Sequence, residues 1–278
     1  MFTLLIIFTV LLYSVSALLQ YQKLLKKTDR ALNSLPLSPA IFEHRLASKL
    51  CGLLAITLHT FVLHKTLHLD SGINLSLFTT GSLVSWLVAL VLIISSLRQK
   101  VDNLFIAVFP MAALLILLEA VFPHPEPRPY ALGVISHILL SILSYSIFTL
   151  AAFQAVLLYK QDITLKRNLS DSFLNSLPPL QTMERLLFEM LWTGFILLSA
   201  SLISGFLFVD DILNQHMAHK SVLSIISWAI FAILLAGRVF WGWRGHKAIY
   251  WTIGGFISLM LGFFGSKLVL EIFLHSPS

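Results

Sequence analysis

Two histidines of this sequence stand inside long apolar runs, where an imidazole ring needs a specific partner. His59 lies in "LAITLHTFVL" and His137 lies in "LGVISHILLS". A polar ring in hydrocarbon must find a hydrogen bond, a metal or water, so such residues often mark functional sites in membrane proteins. Neutral imidazole is also a good ligand for haem iron. The two residues therefore predict either a cofactor site or a polar contact between helices.

His137 opens a row of polar residues with helical spacing. Ser141 and Ser144 follow it by four and seven residues, with Tyr145 beside them, so the row lies on one face of a helix and should face protein. One interpretation is hydrogen bonding between helices, at about 0.6 kcal/mol per bond. The other is a cofactor site. The spacing alone leaves both open.

A flat, apolar, metal-centred cofactor would suit such a site, and haem b bound non-covalently fits that description. On this hypothesis His137 and His59 are the axial ligands of the haem iron, contributed by different helices at matched depth. Arg128 and Lys220 are scarce basic residues on the same side, and they would pair with the haem propionates.

Two short stretches have spacings that can present two imidazoles to one metal. They are "HKTLH" at 64–68 and "HMAH" at 216–219, and the second makes His219 a further candidate for cofactor binding. Neither is accompanied by a cysteine motif or by converging carboxylates. A dedicated zinc or copper site is therefore not favoured.

The composition identifies a membrane protein. Of 278 residues, 57% are hydrophobic and only 12% are charged, with a mean hydropathy of +0.87, which a water-soluble globule of this size cannot accommodate. Eight segments are long enough to span the bilayer as helices. They are 2–19, 47–67, 77–97, 104–122, 132–159, 187–209, 222–240 and 248–273. We expect an all-α, polytopic bundle that forms a single integral-membrane domain over 1–278.

The basic residues predict the orientation of the bundle. With eight spans, 15 of the 19 lysines and arginines fall on the side of the odd-numbered loops, which the positive-inside rule places in the cytoplasm. Both termini then face outward. We interpret the net charge of +6 as this topological signal and not as a nucleic-acid footprint, so the lipid bilayer is the expected partner. The first apolar run has its basic residues behind it, which predicts a retained helix instead of a cleaved signal.

Catalytic signatures are missing from the sequence. It has no nucleophile elbow, Walker A loop, Rossmann glycine fingerprint or metalloprotease His-Glu pair. The two halves of the chain do not repeat one another, which argues against an inverted-repeat transporter. We therefore do not expect an enzyme in the usual sense.

Several long stretches resemble one family of membrane proteins. They are "SGINLSLFTTGSLVSW", "HILLSILSYSIFTLAAFQAVLLY", "LPPLQTMERLLFEMLWTGFILLSASLISGFLF", "HKSVLSIISWAIFAILLAGR", "WGWRGHKAIYW" and "GFFGSKLVLEIF". Together they resemble the cytochrome c assembly superfamily, in its HemX-like or YpjD-like inner-membrane branch. The resemblance covers nearly the whole chain. It implies a bacterial inner (cytoplasmic) membrane location and haem handling at the outer face.

The resemblance also carries over one residue and leaves others unmatched. His137, which opens an "H-x7-Y" helix, matches the first outer haem-ligating histidine of the synthetase members. Between helices six and seven those members carry a Trp-rich segment, where this chain has only "FVDDILNQHMAHKSVLS". Ala236 stands where a histidine is expected two positions before Arg238, and His275 is not at the spacing of the final ligand. Covalent haem attachment by this chain alone is therefore not expected.

Two functions follow as hypotheses. In the first, the protein binds haem and assists cytochrome c assembly or haem homeostasis, with cytochrome c maturation proteins or another membrane protein as partners. In the second, it is a non-catalytic membrane subunit that stabilises or regulates a partner such as a transporter, and its serines and histidines serve helix packing.

Overall fold

The protein is a bundle of long helices. The computed structural model describes residues 2–32, 39–69, 72–99, 101–122, 129–167, 177–208 and 218–265. Within these residues lie eight α-helices: α1 (Phe2–Leu32), α2 (Pro39–Leu67), α3 (Leu77–Arg98), α4 (Phe105–Val121), α5 (Leu132–Lys166), α6 (Leu180–Phe208), α7 (Ala218–Trp241) and α8 (His246–Met260). Each provides a segment long and apolar enough to cross a membrane, α4 together with the turn at 102–104 and α8 together with the turn at 261–265. The predicted polytopic all-α architecture is therefore confirmed.

Four short elements complete the described chain. The strands β1 (His68–Leu69) and β2 (Gly72–Ile73) form an antiparallel pair between α2 and α3. A 3₁₀ turn, Asp102–Leu104, leads into α4, and a π-helical turn, Leu261–Gly265, extends α8. The small strand pair was not predicted, because two residues per strand leave no alternating pattern to detect.

Several helices extend beyond the apolar segments that predicted them. The run at 2–19 begins a helix that continues to Leu32, and the run at 187–209 belongs to a helix that begins at Leu180. A helix satisfies its backbone hydrogen bonds internally, so it can continue past the edge of the hydrocarbon into water. At 1.5 Å per residue the 35 residues of α5 reach about 52 Å, well beyond a hydrocarbon layer of about 30 Å. Of the last predicted span, 248–273, only the part up to Gly265 lies within the described residues.

The helices pack in two groups, and α5 connects them. In the first group α1 packs on α2 and α4, and α3 packs on α4, around the fully buried rings of Tyr13, Phe105 and Phe109. In the second group α5 packs on α6 and α8, and α7 packs on α6 and α8. There the rings of Phe148 and Phe231 stack with centroids 3.9 Å apart. Contacts between α3 and α5 join the two groups.

An ion cluster ties the first group together at one end. Lys23 Nζ lies 3.5 Å and Lys49 Nζ 3.2 Å from the two carboxylate oxygens of Asp102, and Lys49 Nζ also donates to the backbone oxygen of Ser96 at 2.6 Å. These side chains are largely buried, which strengthens charge pairing compared with open water. The cluster fixes α1, α2 and the turn before α4 at the end that the basic residues predict to be cytoplasmic.

The predicted orientation can be tested with single cysteines in a Cys51→Ser background, because the chain has one native cysteine. Ala131 and Arg244 are both exposed. Ala131 precedes the first residue of α5 and Arg244 lies between α7 and α8, so the two positions are at opposite ends of the bundle. A membrane-impermeant maleimide should label Ala131→Cys in intact cells, and should label Arg244→Cys only after the membrane is permeabilised. The reverse labelling pattern would contradict the outward placement of both termini.

Candidate functional site

His137 lies in the second turn of α5 and contacts α6. Its Nδ1 is 2.8 Å from the backbone oxygen of Ser201 and 3.3 Å from Oγ of Ser204. A carbonyl oxygen can only accept a hydrogen bond, so Nδ1 of the neutral ring carries the hydrogen and Nε2 carries the lone pair. The ring is half-buried, and Nε2 has no hydrogen-bond partner in the described part of the chain. The second nitrogen is therefore in the state that a metal ligand requires.

The serines that follow His137 are used in helix packing. Ser141 Oγ donates to the His137 backbone oxygen at 2.8 Å and lies 2.6 Å from Ser201 Oγ on α6. Ser144 Oγ donates to the backbone oxygen of Gly194, also on α6, at 3.2 Å. The polar row thus faces protein, as the spacing predicts. Its hydroxyl groups act as contacts between α5 and α6.

Tyr145 belongs to a different interface. Its ring lies 5.5 Å from that of Phe263 in the turn after α8, and it belongs to the same buried apolar cluster as Phe231 of α7. The side chain is almost fully buried there. It also lies eight residues from His137, which is about 12 Å along the helix. The structure does not bring Tyr145 to the free nitrogen of His137.

His59 is enclosed in the first helix group. It is on α2 and is fully buried. Its Nδ1 is 3.2 Å from the hydroxyl of Tyr13 on α1, and its Nε2 is 2.9 Å from Oγ of Ser82 on α3. Both ring nitrogens are therefore occupied by protein hydroxyl groups, and in this arrangement neither is available to a metal.

The two histidines consequently do not face a common site. His59 is held between α1 and α3, whereas His137 is held on α6. The main partners of α2 are α1 and α3, while α5 packs chiefly on α6, α3 and α8. The predicted pair of axial ligands is not assembled, because each ring is directed to its own helix interface by its own hydrogen bonds.

The arrangement of Ser82, His59 and Tyr13 has the connectivity of a nucleophile, a base and an orienting group. All three residues have 0% exposure, so a substrate in solution or in the lipid cannot reach the serine hydroxyl. These groups join three helices and do not constitute a catalytic site.

Comparison with known proteins identifies the family. The family model described as "Cytochrome C assembly protein" matches residues 47–274. This chain belongs to the cytochrome c assembly family. The match begins within α2, and α1 lies before the matched region.

Individual relatives agree with this assignment. The chain is 34% identical over 208 residues to "Inner membrane protein YpjD" of Escherichia coli strain K12, covering 73% of this chain and 78% of the relative. It is 29% identical over 110 residues to "Cytochrome c biogenesis protein CcsA" of Prochlorococcus marinus strain NATL2A, covering 37% of this chain and 35% of that protein. No solved structure matches the chain. Together with the eight spans, the first relative confirms the predicted inner-membrane location.

The remaining predicted site residues lie at or beyond the edge of the described structure. His219 and Lys220 belong to the first turn of α7, but their side chains are outside the described part. Arg128 and His216 are outside the described residues altogether. Among the residues that are described, no three His, Cys, Asp or Glu side chains converge to hold a metal ion.

Haem is the cofactor that the family implies, and the described residues fit it at one position. A ligating histidine usually donates its second ring N–H to a carbonyl or a carboxylate, which fixes the ring and makes the ligating nitrogen more basic. His137 has this arrangement through Ser201, and His59 does not. The geometry supports ligation from one side.

Three residues that support His137 were missed from the sequence. Ser201, Ser204 and Gly205 belong to the run "SASLISG" at 199–205. Small residues on a membrane helix indicate close packing against a neighbouring helix. That signal could have located the interface, although not the histidine that uses it.

The buried role of His59 predicts an effect on stability. In His59→Leu the ring volume is largely kept, while the hydroxyl groups of Tyr13 and Ser82 lose their hydrogen-bond partner. We expect the free energy of unfolding to fall by about 1–2 kcal/mol, measured by denaturation in detergent micelles. The control is Thr57→Val on the exposed face of the same helix, which should change little. Equal stability of His59→Leu and the wild type would contradict the assignment.

Proposed function

We propose that this protein binds haem b non-covalently through His137 and assists cytochrome c assembly or haem homeostasis at the outer face of the inner membrane. The observation that carries the proposal is the 2.8 Å bond between His137 Nδ1 and the Ser201 carbonyl. This bond leaves the lone pair on Nε2, which has no hydrogen-bond partner among the described residues. Bound haem would supply an iron that accepts this lone pair.

The chain's own residues contribute binding and orientation. Ser201 keeps His137 in one tautomer, and the contact between Ser141 and Ser201 holds α5 against α6. By the predicted topology α7 begins at this same end of the bundle, so Lys220 remains the proposed partner of a haem propionate. Arg128 has the same proposed role from the segment before α5.

The proposed role is binding and not catalysis. The sequence lacks the Trp-rich outer segment, and the second expected histidine is Ala236. A single ligand can present haem to a partner, and we infer that covalent attachment requires another protein. A cytochrome c maturation protein is the proposed partner.

One set of observations favours a second candidate function. His59, Ser141 and Ser144 all use their polar atoms in contacts between helices. A non-catalytic subunit that stabilises or regulates another membrane protein would need only such packing. In that case His137→Leu would impair assembly with the partner, while haem content and cytochrome c levels would stay normal.

The absorption spectrum of the purified protein tests the proposal. Protein from haem-replete cells should show a Soret band that is lost in His137→Ala, because the ligating nitrogen is gone. His59→Leu should keep the band, since both nitrogens of His59 already have partners. His246→Ala is a matched control, because His246 is held by Asp162 at the opposite end of the bundle. A wild-type protein without the band would overturn haem binding, and a band retained in His137→Ala would overturn the assigned ligand.

A further inference from the structure

Gly205 lies against the ring of His137. A Cβ atom at this position would be 3.0 Å from Cε1 and 3.1 Å from Nδ1 of the imidazole, and 3.8 Å from Nε2. The first two distances are shorter than ordinary van der Waals contact. The imidazole therefore occupies space that any other residue at 205 would fill with its side chain.

The position of this glycine explains how the ring reaches a backbone carbonyl of a helix. The Cα–Cβ bond of a helical residue is tilted towards the N-terminus, so each side chain covers part of the preceding turn. Gly205 is four residues after Ser201, and its missing side chain leaves the Ser201 oxygen open to an outside donor. His137 Nδ1 uses that opening at 2.8 Å, and Ser204 Oγ donates to the same oxygen at 2.8 Å.

A second glycine brings the two helices together at the same end. A Cβ atom on Gly133 of α5 would be 2.5 Å from Cγ of Phe208 on α6. Each helix thus contributes one glycine: Gly133 lies about one turn before His137 on α5, and Gly205 lies next to Ser204 on α6. Close approach of backbones through small residues is a common way for membrane helices to associate.

We propose that Gly205 is a positioning residue that sets the plane and the tautomer of His137 for haem ligation. This inference rests on the proposed function. A methyl group at 205 would push the ring a few tenths of an ångström away from α6 and weaken the Nδ1–H bond to Ser201. The ring would then be free to rotate, and Nε2 would become a poorer electron donor to iron.

The test compares two glycine-to-alanine variants of α6. Gly205→Ala crowds His137, whereas Gly194→Ala crowds Phe148, whose Cε1 and Cζ would be 3.0 Å from the new Cβ. The two variants add the same atom to the same helix with similar crowding, but only the first touches the imidazole. Both can be titrated with haemin in detergent while the Soret maximum, the spin state and the midpoint potential are recorded.

We expect Gly205→Ala to bind haemin about 10–100-fold more weakly, which is the usual effect of losing a partner of the ligating histidine. Its midpoint potential should rise, because a less basic imidazole stabilises ferric iron less. Gly194→Ala should keep the affinity and the spectrum of the wild type. Equal effects of the two variants, or an unchanged Gly205→Ala, would overturn the role of Gly205.

Added imidazole shows whether Gly205→Ala weakens haem binding by displacing the His137 ring or by blocking the haem site itself. The same experiment remains informative if Gly205→Ala alone does not fold. In His137→Gly the crowded ring is absent, so adding Gly205→Ala creates no clash. Free imidazole can adjust its position and should restore haem binding equally in His137→Gly and in His137→Gly/Gly205→Ala. Failure to restore binding in the double variant alone would overturn the inference.

The outcomes distinguish this inference from the proposed function. A wild-type protein without a Soret band, or one whose band persists in His137→Ala, contradicts the proposed function itself. A Soret band that is lost in His137→Ala but unchanged in Gly205→Ala contradicts only the positioning role of Gly205.

Discussion

The structure depends on one constraint, which is that a polar group within a membrane-spanning bundle must find its partner in the protein. Lipid offers no hydrogen bonds, so an imidazole or hydroxyl in the spans bonds to its own helix, bonds to another helix or remains available to a ligand. The described residues satisfy this constraint at several interfaces. Ser141 and Ser144 join α5 to α6, and His59 joins α2 to both α1 and α3.

His137 differs from the other polar groups in how it satisfies the constraint. A hydroxyl group can donate and accept, so the bonds of His59 to Tyr13 and Ser82 use both nitrogens and permit either tautomer. A carbonyl only accepts, so the bond of His137 to Ser201 fixes one tautomer and leaves the other nitrogen as a base. In the proposed function, the difference between the structural histidine and the haem-ligating histidine comes from the chemistry of the partner atom.

The departures of this chain from the synthetase pattern define its proposed role. The family model matches residues 47–274, and α1 lies before the matched region. Buried contacts of Tyr13 and the ion cluster of Lys23 hold α1 to helices of the matched region. The chain lacks the Trp-rich segment and has Ala236 in place of a second ligand, while its one well-supported histidine remains. In the proposed function, such a chain holds haem for another protein.

The sequence by itself determined the membrane class, the eight spans and the family, because hydropathy over about 20 residues and the quoted stretches are properties of the chain alone. It also located the polar face of α5, since helical spacing places Ser141 and Ser144 below His137. From the sequence, His59 and His137 were both predicted to be axial ligands, because both have apolar neighbours and lie at a similar depth. Only the tertiary structure separated them, by surrounding one with two hydroxyl groups and setting the other over Gly205 against a carbonyl. The physical reason is that the state of an imidazole depends on atoms from other helices, which the local sequence does not specify.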